Sequence, residues 1–188
     1  MFKKIFLSLL VLAFLAGCTT AKEFDKDFKV DTFNVDMSGY AGIKAVNHHF
    51  LGTTVSELKR TIDEKGSGIF YVGYVGCSWC QDCLRYLEEV AEELDVKIYY
   101  IDAYSEAYPV VYDKETFALL KEILDPLLKT DEDGEKVVFT PHVFTVINGQ
   151  FDGSQISVPE DWEFGNPTQS QIDGLKAIYR KILEPFSY

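Results

Sequence analysis

The residues best suited to chemistry in this chain are Cys77 and Cys80, in the run Cys77-Ser78-Trp79-Cys80. They lie between an apolar run over residues 69–75 and an amphipathic helix pattern over 84–94. Two thiols spaced C-x-x-C at a strand-to-helix junction suit reversible disulfide chemistry. A helix N-terminus carries partial positive charge and unsatisfied N–H groups. Both favour a thiolate, which is the nucleophile of thiol–disulfide exchange. The i, i+3 spacing lets the second sulfur reach the first.

A third thiol, Cys83, opens alternatives. Cys80-Gln81-Asp82-Cys83 is a second C-x-x-C pair that shares Cys80. Cys83 also falls on the helix face of Leu87, Val90 and Leu94. It therefore reads either as a core cysteine or as a third thiol that resolves or protects the pair. Three clustered cysteines also suit metal or iron–sulfur binding, with His142 as a candidate imidazole for zinc. Leu87 stands where a C-x-x-C-x-x-C-x-x-x-C run needs its fourth cysteine, so no metal is assigned. His48 and His49 read as loop or surface residues, and Trp162, set among acids, as a cover for local apolar surface.

The elements that position these residues are legible from periodicity and turn signals. Alternating apolar residues over 28–35 predict a first strand. Residues 54–65 read as a helix with Val55, Leu58 and Ile62 on one face, ended by Gly66. The run 69–75 has the unbroken apolar character of a central buried strand. A strand over 97–101, a Tyr-rich loop over 103–113 and a helix over 114–124 ended by Asp125-Pro126 follow. Residues 130–136 form a polar turn. Residues 142–147 and 151–158 make a hairpin around Asn148-Gly149. An acidic loop over 159–167 leads into a last helix over 168–186, with Ile172, Leu175, Ile178, Ile182 and Leu183 inward. Alternating β and α units imply parallel strands, and the hairpin adds antiparallel ones. The expected class is α/β, a mixed central sheet with helices on both faces.

Composition bounds the function. Apolar content of 47% and aromatic content of 14% fit a folded domain. With 30 acidic against 18 basic residues the formal charge is −12, which argues against nucleic acid, whose phosphates are bound by Lys and Arg. The first residues read as a lipoprotein leader over 1–17. Lys3 and Lys4 form its basic start, and residues 5–16 its apolar stretch. That stretch is shorter than the roughly 20 apolar residues a spanning helix needs. Leu15-Ala16-Gly17-Cys18 looks like a lipobox, whose cysteine is diacylated in lipoproteins and becomes the mature N-terminus. The organisation expected is a leader over 1–17, a lipidated tether over 18–27 and one domain over 28–188. The setting expected is extracytoplasmic, held at a bacterial cell membrane through Cys18.

Three anchored pieces make the chain resemble thioredoxin-fold proteins. Ile69-Phe70-Tyr71-Val72 precedes Cys77 by five residues, and Cys80 precedes Leu87-Glu88-Glu89-Val90-Ala91 by seven. Thr140-Pro141 precedes Asn148-Gly149 by seven, as in the family's cis-proline strand and hairpin. The resemblance spans roughly residues 50–186 and looks most like the bacteriocin-transport accessory group. It favours Cys77/Cys80 over Cys80/Cys83, because the second register leaves the preceding strand too far back. It implies a thiol–disulfide oxidoreductase in which Cys77 attacks and Cys80 resolves, with Trp79, Thr140 and Pro141 beside the substrate. It implies no cofactor beyond the cysteine pair itself. The partners implied are protein thiols and disulfides, and a redox partner protein. The alternative is a non-catalytic thioredoxin-like accessory module of a transport or secretion system. The chain departs from the family pattern at Tyr71, which aligns with a buried acid, at Glu88, which fills the slot of a kinking proline, and at Ser78-Trp79.

Overall fold

The computed structural model describes residues 23–25, 28–103 and 114–187. The leader over 1–17, Cys18 and nearly all of the Tyr-rich loop lie outside the described residues.

The fold is α/β, a mixed central sheet with helices on both faces. Its five-stranded sheet uses β1 (Phe50–Gly52), β2 (Gly68–Gly73), β3 (Ile98–Asp102), β6 (His142–Ile147) and β7 (Gln150–Ile156). The order is β1-β3-β2-β6-β7. β1 and β2 each pair parallel with β3, while β6 runs antiparallel to both β2 and β7. β4 (Lys129–Thr130) and β5 (Lys136–Val137) form a small separate hairpin around the expected polar turn.

Four helices complete the layers: α1 (Val55–Asp63), α2 (Ser78–Leu94), α3 (Lys114–Leu124) and α4 (Gln169–Leu183). α2 and α4 pack together on one face, over a core with Tyr71, Leu87, Val90, Tyr179 and Leu183. α1 and α3 cover the other face, over Leu58, Phe70, Phe144 and Leu120. Both central strands, β2 and β6, are buried along their whole length. This is why their sequences run apolar without alternation.

Local chemistry sets the helix ends. Thr54 caps α1 by accepting from the Glu57 N–H, and Thr168 caps α4 in a reciprocal box with Gln171. α2 ends at Asp95, which takes a left-handed conformation at φ 51°. α4 stops short of the predicted end and tightens into a 3-10 turn, Glu184–Phe186. Its buried stripe includes Tyr179, while Ile172 and Ile178 are only partly buried.

The first predicted strand is corrected. Residues 28–35 form no strand; only Phe33 bridges Gly52, through two 2.9 Å backbone hydrogen bonds. Side chains of α1 occupy the backbone of this segment instead. The Asp31 N–H donates to the Glu57 carboxylate, and Arg60 donates to the Lys29 carbonyl. The sheet edge on this side is β1. Among the described residues no helix is long and apolar enough to cross a membrane.

Candidate active site

The site is built where β2 ends and α2 begins. Cys77 is the N-cap of α2, in extended conformation (φ −80°, ψ 113°), and its sulfur accepts the backbone N–H of Cys80 at 3.1 Å. No acidic side chain lies in the first turn of α2. The field of the helix N-terminus therefore acts on the Cys77 sulfur without an adjacent carboxylate opposing it.

The second wall comes from the loop before β6. The Thr140–Pro141 peptide bond is cis. β6 lies beside β2, with Val72 opposite His142, so the chain just before His142 arrives next to the cysteines. Thr140 meets Cys77 twice. Its hydroxyl donates to the sulfur at 3.5 Å, and the thiol is 3.6 Å from its carbonyl oxygen. The two contacts suit opposite protonation states: a thiol donates to the carbonyl, and a thiolate accepts from the hydroxyl.

These neighbours separate the three thiols. Hydrogen bonding from the Cys80 thiol, then from the Thr140 hydroxyl and the N–H groups of Cys80 and Trp79, lowers the Cys77 pKa to about 6, against the opposing effect of burial. The hydrogen bond to the Cys77 sulfur, then burial, and last the Cys77 charge push the Cys80 thiol upward. Burial pushes Cys83 up to about 12. All three are free thiols. Cys83 lies on the sheet-facing stripe of α2 with Leu84, Leu87 and Val90 and is fully buried. It lies beside Tyr179.

Cys77 is only 6% exposed, so it is less open than a bare helix end suggests. It opens instead onto a cavity of about 540 Å³ whose walls include Tyr74, Trp79, Phe117, Phe139, Thr140 and Phe164. Pro141 is buried and is not part of this lining. Trp79 is 41% exposed and meets Phe164 edge to face, with centroids 4.7 Å apart.

Sequence reasoning missed the residues that hold this rim together. The Asp82 carboxylate accepts from the Trp162 indole N–H at 2.7 Å and from the Gly165 N–H at 3.1 Å. That brings the acidic loop over 159–167 onto α2 and sets Phe164 against Trp79. Trp162 is buried against Tyr86. Gln81 ties α2 to the loop before β1: it accepts from Ala41 N–H and donates to the Gly39 and Val75 carbonyls. Both residues sit between Cys80 and Cys83, where the sequence signal was spent on the thiols.

His142 takes no part in the cavity. It is fully buried, with Nε2 2.8 Å from the Ser154 hydroxyl and Nδ1 without a partner. His49 is 3.0 Å from Glu88, the residue in the expected kink position, and His48 reaches the Val35 carbonyl. Among the described residues no group of three His, Cys, Asp or Glu side chains is placed to hold a metal.

Two of the solved structures that match this chain are thioredoxins. Thioredoxin O2 from Arabidopsis thaliana in the oxidised state gives a TM-score of 0.43 at 14% identity, over 73% of this chain and 96% of that one. Thioredoxin from Aeropyrum pernix gives 0.40 at 16% identity, over 69% of this chain and 87% of that one. No protein-family model matches the sequence, and no curated protein matches it significantly. The chemistry of this chain therefore rests on the geometry of its own site.

Proposed function

We propose that this protein is a thiol–disulfide oxidoreductase working through Cys77 and Cys80. The observation that supports it most is the Cys77 sulfur: it caps a helix, accepts from Cys80 N–H and the Thr140 hydroxyl, and opens onto an aromatic-walled cavity. The Cys77 thiolate attacks a substrate disulfide, R–S–S–R′. A Cys77–S–S–R mixed disulfide forms and R′–S⁻ leaves. Cys80 then attacks the Cys77 sulfur, the bond to R breaks, and R–S⁻ departs with the proton that Cys80 gives up. The enzyme ends as the Cys77–Cys80 disulfide, and the substrate has gained two electrons. Run in reverse, the same steps oxidise a dithiol. Each cycle needs a partner protein that returns the pair to its starting state. Trp79, Phe164 and Thr140 would contact the polypeptide that carries the reacting sulfur, and the chemistry calls for no cofactor beyond the pair.

Equilibration in glutathione buffers followed by mass mapping tests this reading. The expected product is a reversible Cys77–Cys80 disulfide, with Cys83 free throughout. A dominant Cys80–Cys83 bond would overturn the register. A chain that forms no reversible disulfide would instead favour the non-catalytic accessory module.

The proposed setting is the outer face of a bacterial cell membrane, with residues 1–17 removed and the domain over 28–188 tethered through lipid on Cys18. Support comes from Lys3 and Lys4, the short apolar stretch and the Leu15-Ala16-Gly17-Cys18 box. Cell fractionation should place the protein with membranes, and Cys18→Ala should release it or leave the leader uncleaved. A wholly cytosolic wild type would contradict this setting.

A further inference from the structure

We propose that the Tyr71 hydroxyl is the hydrogen-bond donor that stabilises Cys80 as a thiolate while it resolves the mixed disulfide on Cys77. The inference rests on the oxidoreductase reading above and names a residue that reading does not use.

Tyr71 lies in the middle of β2 and is 1% exposed. Its ring stacks on Tyr100, with centroids 5.9 Å apart, and meets Phe50 edge to face. Gly73 leaves room for the ring: a Cβ there would fall 2.6 Å from the Tyr71 hydroxyl oxygen. The hydroxyl is thus fixed in place by packing. Tyr40 and Tyr100 satisfy each other at 2.9 Å, and Tyr100 also reaches the Gly73 carbonyl. The Tyr71 hydroxyl, by contrast, has no hydrogen-bond partner of ordinary geometry. A buried hydroxyl left unpaired is costly and calls for a reason.

Tyr71 and Cys80 share one buried cluster, and the thiol whose ionisation this hydroxyl favours is that of Cys80. A neutral thiol is a weak acceptor, whereas a thiolate is a strong one. The orphan therefore gains its partner only when Cys80 loses its proton. Burial holds the Tyr71 proton well above the ordinary range, so Tyr71 donates a hydrogen bond and does not act as a base. The titratable groups that face Cys80 are Cys77 on its own helix, Tyr71 and Tyr100 on β2 and β3, Tyr40 on the preceding loop and Tyr179 on α4. In the resting dithiol the Cys77 charge opposes ionisation of Cys80. In the mixed disulfide that charge is gone, and the Tyr71 hydroxyl remains, with the backbone of Tyr74, to favour the thiolate. In the step itself the Cys80 proton leaves with R–S⁻ as R–SH, the Cys77–Cys80 bond forms and the Cys77–R bond breaks. Tyr71 keeps its proton.

Stopped-flow reaction of the fully reduced protein with substoichiometric 5,5′-dithiobis(2-nitrobenzoic acid) tests this, because the two releases of aromatic thiolate report Cys77 attack and Cys80 resolution separately. In Tyr71→Phe the first phase should be unchanged. The second should slow roughly tenfold or more, the usual effect of losing a hydrogen bond to a charged group. Its pH midpoint should also rise by about one unit. Tyr100→Phe, which removes a neighbouring hydroxyl with its own partner, should leave the second phase near the wild-type rate. An unchanged second phase in Tyr71→Phe would overturn the assignment. So would equal slowing in Tyr100→Phe, or a Tyr71→Phe protein that does not fold, since the hydroxyl would then act through packing. A wild type with a single release would overturn the Cys77–Cys80 reading itself, and this inference with it.

Discussion

Cys77→Ser is expected to abolish disulfide exchange, and Cys80→Ser to arrest it half-way. The serine hydroxyl has the size to keep the cap on α2, but it does not ionise at neutral pH and its oxygen is a poor nucleophile toward disulfide sulfur. Loss of at least ~10³-fold in the rate of disulfide reduction follows. Cys80→Ser leaves the attacking sulfur at its N-cap and removes the group that expels R. Stable mixed disulfides on Cys77 should then accumulate and be visible by mass. Cys83→Ser should leave the rate within about twofold, because Cys83 is fully buried and its thiol is held protonated. Rates comparable to the wild type in Cys77→Ser would remove the role of this sulfur.

The second large effect concerns acid. His142 follows the cis-proline bond but is enclosed between β2 and β7, opposite Val72 on one side and Ile156 on the other. Burial, aided by the positive charge of Lys129, lowers its pKa to about 4. In the unfolded chain a histidine titrates near 6.5. Between these values the unfolded state binds a proton that the folded state refuses, so stability rises with pH across the window. Read downward, stability begins to fall below about pH 6.5, and the loss is complete below about pH 4. Its full size is roughly 3 kcal/mol. Urea unfolding of the wild type and of His142→Gln, each at pH 7 and pH 4.5, isolates this contribution from that of the carboxylates. The wild type should lose roughly 2–3 kcal/mol more than the variant over that interval. Equal losses would mean that His142 is protonated as easily folded as unfolded.

The sheet order and the site were legible in the sequence to different depths. β2, β6 and α2 announce themselves because each is dominated by one environment. Two are buried on both faces, and one carries a long apolar stripe beside its thiols. The segment over 28–35 misled for the opposite reason. Its alternation is real, but Glu57 and Arg60 of α1 take up its backbone groups, so it lies along the helix and not in the sheet. At the site, Cys77, Cys80 and Thr140 could be anchored by spacing. The contribution of Asp82 could not, because it depends on a loop some eighty residues later folding back so that Trp162 and Gly165 reach one carboxylate oxygen. Tyr71 was visible as a departure from the family pattern. Its unpaired hydroxyl became apparent only once Tyr40 and Tyr100 were seen to satisfy each other.

The central claim is that Cys77 is held as a reactive thiolate near neutral pH while its two neighbours are not. The most direct measurement is the pH dependence of iodoacetamide alkylation of the reduced protein, resolved by peptide mass into the three cysteines. The account predicts modification of Cys77 first, with a midpoint at about pH 6, and little reaction of Cys80 or Cys83 below pH 8. A Cys77 midpoint at or above the unperturbed value of about 8.5, or faster alkylation of Cys83 than of Cys77, would contradict it.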